Sequence, residues 1–167
     1  MNVPQVCFLI LFTLSIPGCA GYQWGNRTLF RNDIRTVHVP VIESESYRRF
    51  LGQQLTEAVV KQIELDTPYQ IADAALADSF LQCRIVRDLK RFRTLDRFGE
   101  PRVLQTNWLV EMKWMDRSGA ELSPMQKIQI NGSEEFIPEG GQSLTSAQKE
   151  LIRSLAIQIV GQMESGW

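Results

Sequence analysis

The chain has 167 residues, 44% of them hydrophobic, and carries 18 basic against 19 acidic side chains, a net charge of −1. So even a balance excludes a partner recognised by whole-protein charge, such as duplex nucleic acid, which demands a strong basic excess. The length suits one domain with its own core once an export segment is removed.

That segment opens the chain. Val6 to Ile16 is an apolar run, followed by Pro17-Gly18-Cys19-Ala20-Gly21. As a helix the run reaches only ~16 Å, about half of a ~30 Å bilayer core, so it reads as a secretory signal and not as a membrane span. Small residues around a cysteine after such a run read as a bacterial lipobox, although Pro17 departs from the usual pattern; the plainer alternative is an ordinary signal cleaved near Gly18 or Ala20, with no lipid on Cys19. The expectation is removal of residues 1–18, lipid (palmitate) on Cys19, a spacer over 19–32 and a single folded domain over 33–167. Ala20 after the cysteine does not resemble an inner-membrane retention signal. Cys7 leaves with the signal and Cys19 takes the lipid. Cys83 then has no partner for a disulfide and reads as a small buried hydrophobe in a strand.

Ile34 to Val41 is β-branched and alternates Thr36 and His38 against Val37, Val39 and Val41, which predicts a strand. Pro40 lacks a backbone donor, so this strand should finish at an edge or at its last pairs. A helix is expected from Ser44-Glu45-Ser46-Tyr47, with Ser44 or Ser46 as cap and Glu43 and Glu45 at its positive end. Tyr47, Leu51, Leu55, Ala58, Val59 and Ile63 form its apolar stripe. Gly52 inside it costs about 1 kcal/mol relative to Ala, which a close backbone contact with the sheet would explain. Asp66-Thr67-Pro68 ends the helix. Tyr69 to Ala72 is either a short strand or a return loop.

From Phe80 the pattern becomes β. Phe80 to Leu95 is one long strand and 96–101 a turn. Val103 to Met115 is a second strand, with Trp108, Val110, Met112 and Trp114 on one face and Asn107, Glu111 and Lys113 on the other. Asp116 to Gly119 is a turn, and Met125 to Asn131 a last strand ended by Asn131-Gly132. Thr145 and Gln148 suggest a capping box. Leu151, Ile152, Leu155, Ala156, Ile159, Val160 and Met163 then recur at near-heptad spacing. Two to three heptads are too few for an independent coil, so this helix should pack on its own sheet. The expected fold class is α+β, order β-α-β-β-β-α: a four-stranded, mostly antiparallel sheet with two helices packed on one face.

No metal cluster, P-loop, GxSxG, GxGxxG or CxxC pattern occurs, and His38 is the only histidine. Asp73 and Asp78 flank an alanine-rich loop and suit turns better than a site. The expectation is no catalysis, no cofactor and no metal. One feature does stand out. Arg84, Arg87, Lys90, Arg91, Arg93, Arg97 and Arg102 oppose only Asp88, Asp96 and Glu100, a local net charge of +4. Strict alternation places Arg87, Arg91 and Arg93 on one face and Arg84 and Lys90 on the other. Guanidinium groups bind phosphate in a forked geometry, so a phosphorylated glycolipid or an anionic membrane surface fits such a patch. A solvated hairpin kept soluble by its charge is the plainer reading.

Cys19-Ala20-Gly21-Tyr22 is followed by Ile34 to Pro40, by Phe50-Leu51-Gly52-Gln53-Gln54-Leu55-Thr56-Glu57-Ala58-Val59 and by Ala77-Asp78-Ser79-Phe80-Leu81. In this order the segments resemble the lipoprotein family LptE, over nearly the whole mature chain. The resemblance implies two helices on a four-stranded sheet. It implies an outer-membrane location on the periplasmic side, a barrel partner, LptD, in which the lipoprotein sits as a plug, and assistance in delivering lipopolysaccharide to the surface. It also makes Arg87, Lys90, Arg91 and Arg93 the candidates for contact with lipopolysaccharide, although no single position aligns with a known contact. The strand, the helix carrying Leu55-Thr56-Glu57 and the strand after Ala77-Asp78 also resemble CsgG-like and penicillin-binding-protein-activator lipoproteins. The uninterrupted meander from Phe80 favours LptE.

Overall fold

Two long strands organise the molecule. The computed structural model describes residues 29–95, 97–123 and 128–164; the signal segment and Cys19 lie outside them. The elements are β1 (Thr36–His38), β2 (Glu43–Ser44), α1 (Leu51–Asp66), β3 (Gln70–Ile71), β4 (Ser79–Leu95), β5 (Pro101–Asp116), β6 (Ile128–Phe136), a 3-10 turn (Pro138–Gly140) and α2 (Leu144–Gly161). The strands form one six-stranded sheet in the order β3-β1-β4-β5-β6, with β2 also on β4. β4, β5 and β6 are the expected antiparallel meander, but β1 and β2 lie parallel to β4, and β3 parallel to β1. The sheet is therefore mixed and six-stranded, not four-stranded. Its additional members are two-residue strands, too short to leave a periodic signature in sequence.

Alternation along β4 and β5 sends Leu81, Cys83, Ile85, Trp108, Val110, Met112 and Trp114 to one buried face. Leu55, Val59 and Ile63 of α1 and Leu151, Leu155 and Ile159 of α2 cover that face and are fully buried. Each such side chain contributes roughly 1.5–3 kcal/mol by leaving water. The near-heptad stripe of α2 is thus core. Two polar side chains inside this layer, Trp114 and Ser79, are bonded in a chain near β1. Trp114 Nε1 donates to Ser79 Oγ at 3.2 Å, and Ser79 Oγ donates to the Thr36 carbonyl at 3.1 Å.

Three boundaries differ from the sequence expectation. The first helix begins at Leu51, seven residues past Ser44, because 43–44 is drawn into the sheet beside Arg84 and Ile85. Its first residue is preceded by Phe50 in the left-handed region (φ 65°), with no side-chain cap. Tyr47 is not part of the apolar stripe and is fully exposed. Ser46 serves another purpose: its hydroxyl donates to Asp88 Oδ2 at 2.7 Å. The capping box of α2 is formed by Ser143 and Ser146, two residues before the expected pair. β6 runs straight through Asn131-Gly132 to Phe136. Gly132 is a packing glycine: a Cβ there would stand 2.6 Å from a Leu151 methyl.

β1 is shorter than the expected 34–41, ending at His38 before Pro40, and 70–71 is a short strand. Asp78 accepts from the amides of Arg35 and Thr36, both at 3.0 Å, and so closes a turn. These donors hold its carboxyl below the usual range. His38 Nδ1 lies 3.0 Å from the Ala72 carbonyl, a structural contact. Cys83 is buried and free, and burial pushes its thiol up to about 12.

Candidate functional site: a cationic hairpin arm

β4 and β5 are much longer than their neighbours. β6 reaches only as far as Phe136, opposite Leu104. Beyond that pair the hairpin continues through Thr94↔Val103 and Leu95↔Pro101 with no third strand among the described residues. An arm thus projects from the end of the sheet, turning at Gly99, whose φ of 82° suits a residue without a side chain.

The arm and its base carry the basic segment, and three register shifts decide which way each cation points. The first lies between Ile85 and Arg87, so Val86 is an extra residue in β4. Before it, Cys83 and Ile85 face the helices and Arg84 faces away. After it, Asp88, opposite buried Trp108, faces the helices, while Arg87 and Arg91 face away. This corrects the strict-alternation reading. Arg84 shares the open face with Arg87 and Arg91, and Lys90 alone among the four candidates turns toward the helix side, its Nζ 5.6 Å from the Phe136 ring centroid. A bulge leaves no compositional mark, so alternation counted through it inverts.

The cations are not equally available. Arg84 Nε lies 3.5 Å from both Glu43 and Glu45. Arg93 Nε donates to Glu135 at 3.1 Å, with both side chains at least half exposed. Arg97 stacks over Phe98 with its guanidinium carbon 4.7 Å from the ring centroid. Arg87 and Arg91 are exposed and make no ion pair among the described residues. The open face thus runs from a neutralised Arg84, through two unopposed guanidiniums, to a partly neutralised Arg93.

Sequence reasoning missed the apolar component of the arm. Phe92, Leu95 and Phe98 are 65%, 54% and 75% exposed. Their spacing follows neither strand nor helix period, because the register shifts between Phe92 and Leu95 break it. Exposed aromatic rings among guanidiniums suit an amphiphile that offers both anionic and apolar groups. No three His, Cys, Asp or Glu side chains gather as metal ligands among the described residues. No helix among them is long and apolar enough to cross a membrane.

The chain superposes on hypothetical protein CT253 from Chlamydia trachomatis with a TM-score of 0.54 at 9% identity, covering 78% of this chain and 98% of that one. It is also similar to an uncharacterized lipoprotein B from Nitrosomonas europaea (TM-score 0.49, 17% identity, 82% and 88% covered). A third similar structure is the PelC dodecamer from Paraburkholderia phytofirmans (TM-score 0.49, 15% identity, 81% and 93% covered). These likenesses concern the fold alone. No curated protein matches the chain by sequence. The family model described as "LptE: Lipopolysaccharide-assembly" matches residues 34–165, a span that takes in every strand and both helices of the described residues. The chain belongs to the LptE family of lipopolysaccharide assembly.

Proposed function

We propose that this chain is a lipid-anchored protein of the outer membrane that assists lipopolysaccharide assembly as the plug-like partner of the LptD barrel. We assign the cationic arm to recognition of the lipid's phosphates. The observation that supports the assignment is the arm itself: unopposed Arg87 and Arg91 on an open sheet face, continued by Arg93, with exposed Phe92 on the opposite face and exposed Leu95 and Phe98 further along the arm. Forked guanidinium donors match phosphate oxygens, and neighbouring apolar side chains match acyl chains. Lys90 adds charge from the opposite face of the same strand. Anchoring through Cys19 fits the lipobox and holds the domain on the periplasmic side.

Family membership supports the barrel partnership, and purification tests it. The chain, tagged at its C-terminus and extracted in gentle detergent, should bring down a large outer-membrane β-barrel in near-stoichiometric amount. Recovery of a cell-wall synthase or a secretion pore, with no large barrel, would replace this reading with that of an activator or CsgG-like lipoprotein.

A further inference from the structure

Four buried polar atoms under the helical layer have no hydrogen-bond partner within the protein: Arg48 Nη1, Asp88 Oδ1, Thr106 Oγ1 and Trp108 Nε1. They are not scattered. Asp88 and Trp108 are directly opposite across β4 and β5, a position that puts Cβ atoms about 5 Å apart. Thr106 is the next residue of β5 on the same face, opposite Lys90. Arg48 is held to Asp88 through its Nε, 3.2 Å from Oδ2. Both of Asp88's partners, Arg48 and Ser46, use Oδ2, which leaves Oδ1 unused. The side chain of Asp88 is 3% exposed, and Thr106 and Trp108 are at most 1% exposed.

The chemistry of the set selects its ligand. The indole and guanidinium nitrogens only donate, the carboxylate oxygen only accepts, and the threonine hydroxyl does either. Two obligate donors repel a metal cation, and the Asp88 carboxylate repels an anion. A neutral molecule that donates twice and accepts twice satisfies the whole set. We infer that this cluster is a binding site for internal water, which accepts from Trp108 and Arg48 and donates to Asp88 and Thr106. Buried waters characteristically make about three such bonds to groups of this kind, and leaving those groups unpaired is costly. Gly132, opposite Trp108 on β6, brings Leu151 and Leu155 down onto the sheet beside the site. The water joins the segment containing Ser46 and Arg48 to both long strands at the base of the arm. The inference stands on these contacts and is independent of the family assignment.

The test is nuclear magnetic resonance of the full chain with 15N-labelled tryptophan. Trp108→Phe identifies the Trp108 indole signal by its disappearance. In the wild type, the Trp108 indole proton should show a cross-relaxation peak at the water frequency, of the sign given by a long-lived bound molecule. The same peak should persist in Thr106→Val, where no hydroxyl proton can imitate water and three of the four partners remain. Absence of the peak from the wild type, or its loss in Thr106→Val, overturns the inference, since the indole then has no water beside it or only a threonine hydroxyl.

Discussion

The carbonyl of Ile42 fills the space that a Cβ on Gly52 would need. Ile42 also donates its amide to Thr56 Oγ1 at 2.9 Å, and Thr56 Oγ1 donates to the Gly52 carbonyl at 2.7 Å. The segment joining β1 to β2 is therefore laid directly against the first two turns of α1. Gly52→Ala would raise stability by about 1 kcal/mol if helix propensity decided the outcome. Here the obstacle is a backbone carbonyl and cannot swing aside. We expect a loss of about 1–3 kcal/mol, the usual cost of forcing an atom into a packed interior. Urea unfolding of the variant measures it, and an unchanged or higher midpoint would show that the connection yields.

α2 supplies core and not an oligomer seam. Leu155 and Ile159 are fully buried against the sheet and α1. Leu155→Ala and Ile159→Ala should each cost about 2–5 kcal/mol with no change in oligomeric state. Costs of a few tenths, together with loss of self-association in sedimentation, would return the helix to a coiled-coil role.

The large elements were readable from sequence because they obey a single period over many residues. Trp108, Val110, Met112 and Trp114 alternate without interruption, and the α2 stripe runs four turns. What was hidden depends on contacts distant in the chain. Nothing near Ser44 says that 43–44 will pair with Arg84 and Ile85, so the serines there looked like caps. Asn131-Gly132 has the composition of a turn, yet Gly132 is required by Leu151 and Leu155 from a helix twelve residues away and more. The basic segment was visible as composition. Alternation separates Arg87 and Arg91 from Lys90 as the register does, but it misplaces Arg84, because one extra residue at Val86 reverses it, and the pairing of Arg84 and Arg93 with glutamates distant in the chain leaves no local mark.

Burial raises the Cys83 thiol from its ordinary 9.0 to about 12. The folded state therefore prefers the neutral thiol. The corresponding stability is complete below pH 9 and is lost as pH climbs from 9 toward 12, where the unfolded chain ionises first. The slope from this one group is at most about 1.4 kcal/mol per pH unit. Cys83→Ala should lose that slope, so the stability gap between parent and variant should narrow over this interval. A gap that stays constant from pH 9 to 12 would show that the thiol titrates normally. At neutral pH a thiol reagent should modify Cys83 only after unfolding.

Lipidation at Cys19 follows from the small-residue site after the apolar run. Growth with a fatty-acid analogue should label the parent and leave Cys19→Ser unlabelled. Equal labelling of the two would remove the anchor from the proposal.

The arm's role in lipid binding is best tested where its charge is unopposed. Arg93 already has Glu135, an exposed pair worth only about 0–1 kcal/mol, so its guanidinium is shared but not sequestered. Arg87 and Arg91 lie four residues apart on the open face, about 13 Å along the strand. Arg87→Glu combined with Arg91→Glu reverses the sign of that face without touching the buried Asp88 and Arg48 pair behind it. Binding of purified lipopolysaccharide should weaken at least tenfold at low salt. Arg93→Gln alone should weaken it less, and Lys90→Gln least, since Lys90 turns to the other side of the strand. Wild-type affinity should also fall as salt rises, because exposed charges are screened beyond ~10 Å at 0.1 M. Binding unchanged in the doubly reversed protein, with a native circular dichroism spectrum, would leave the arm as a solvated hairpin and move recognition elsewhere on the molecule.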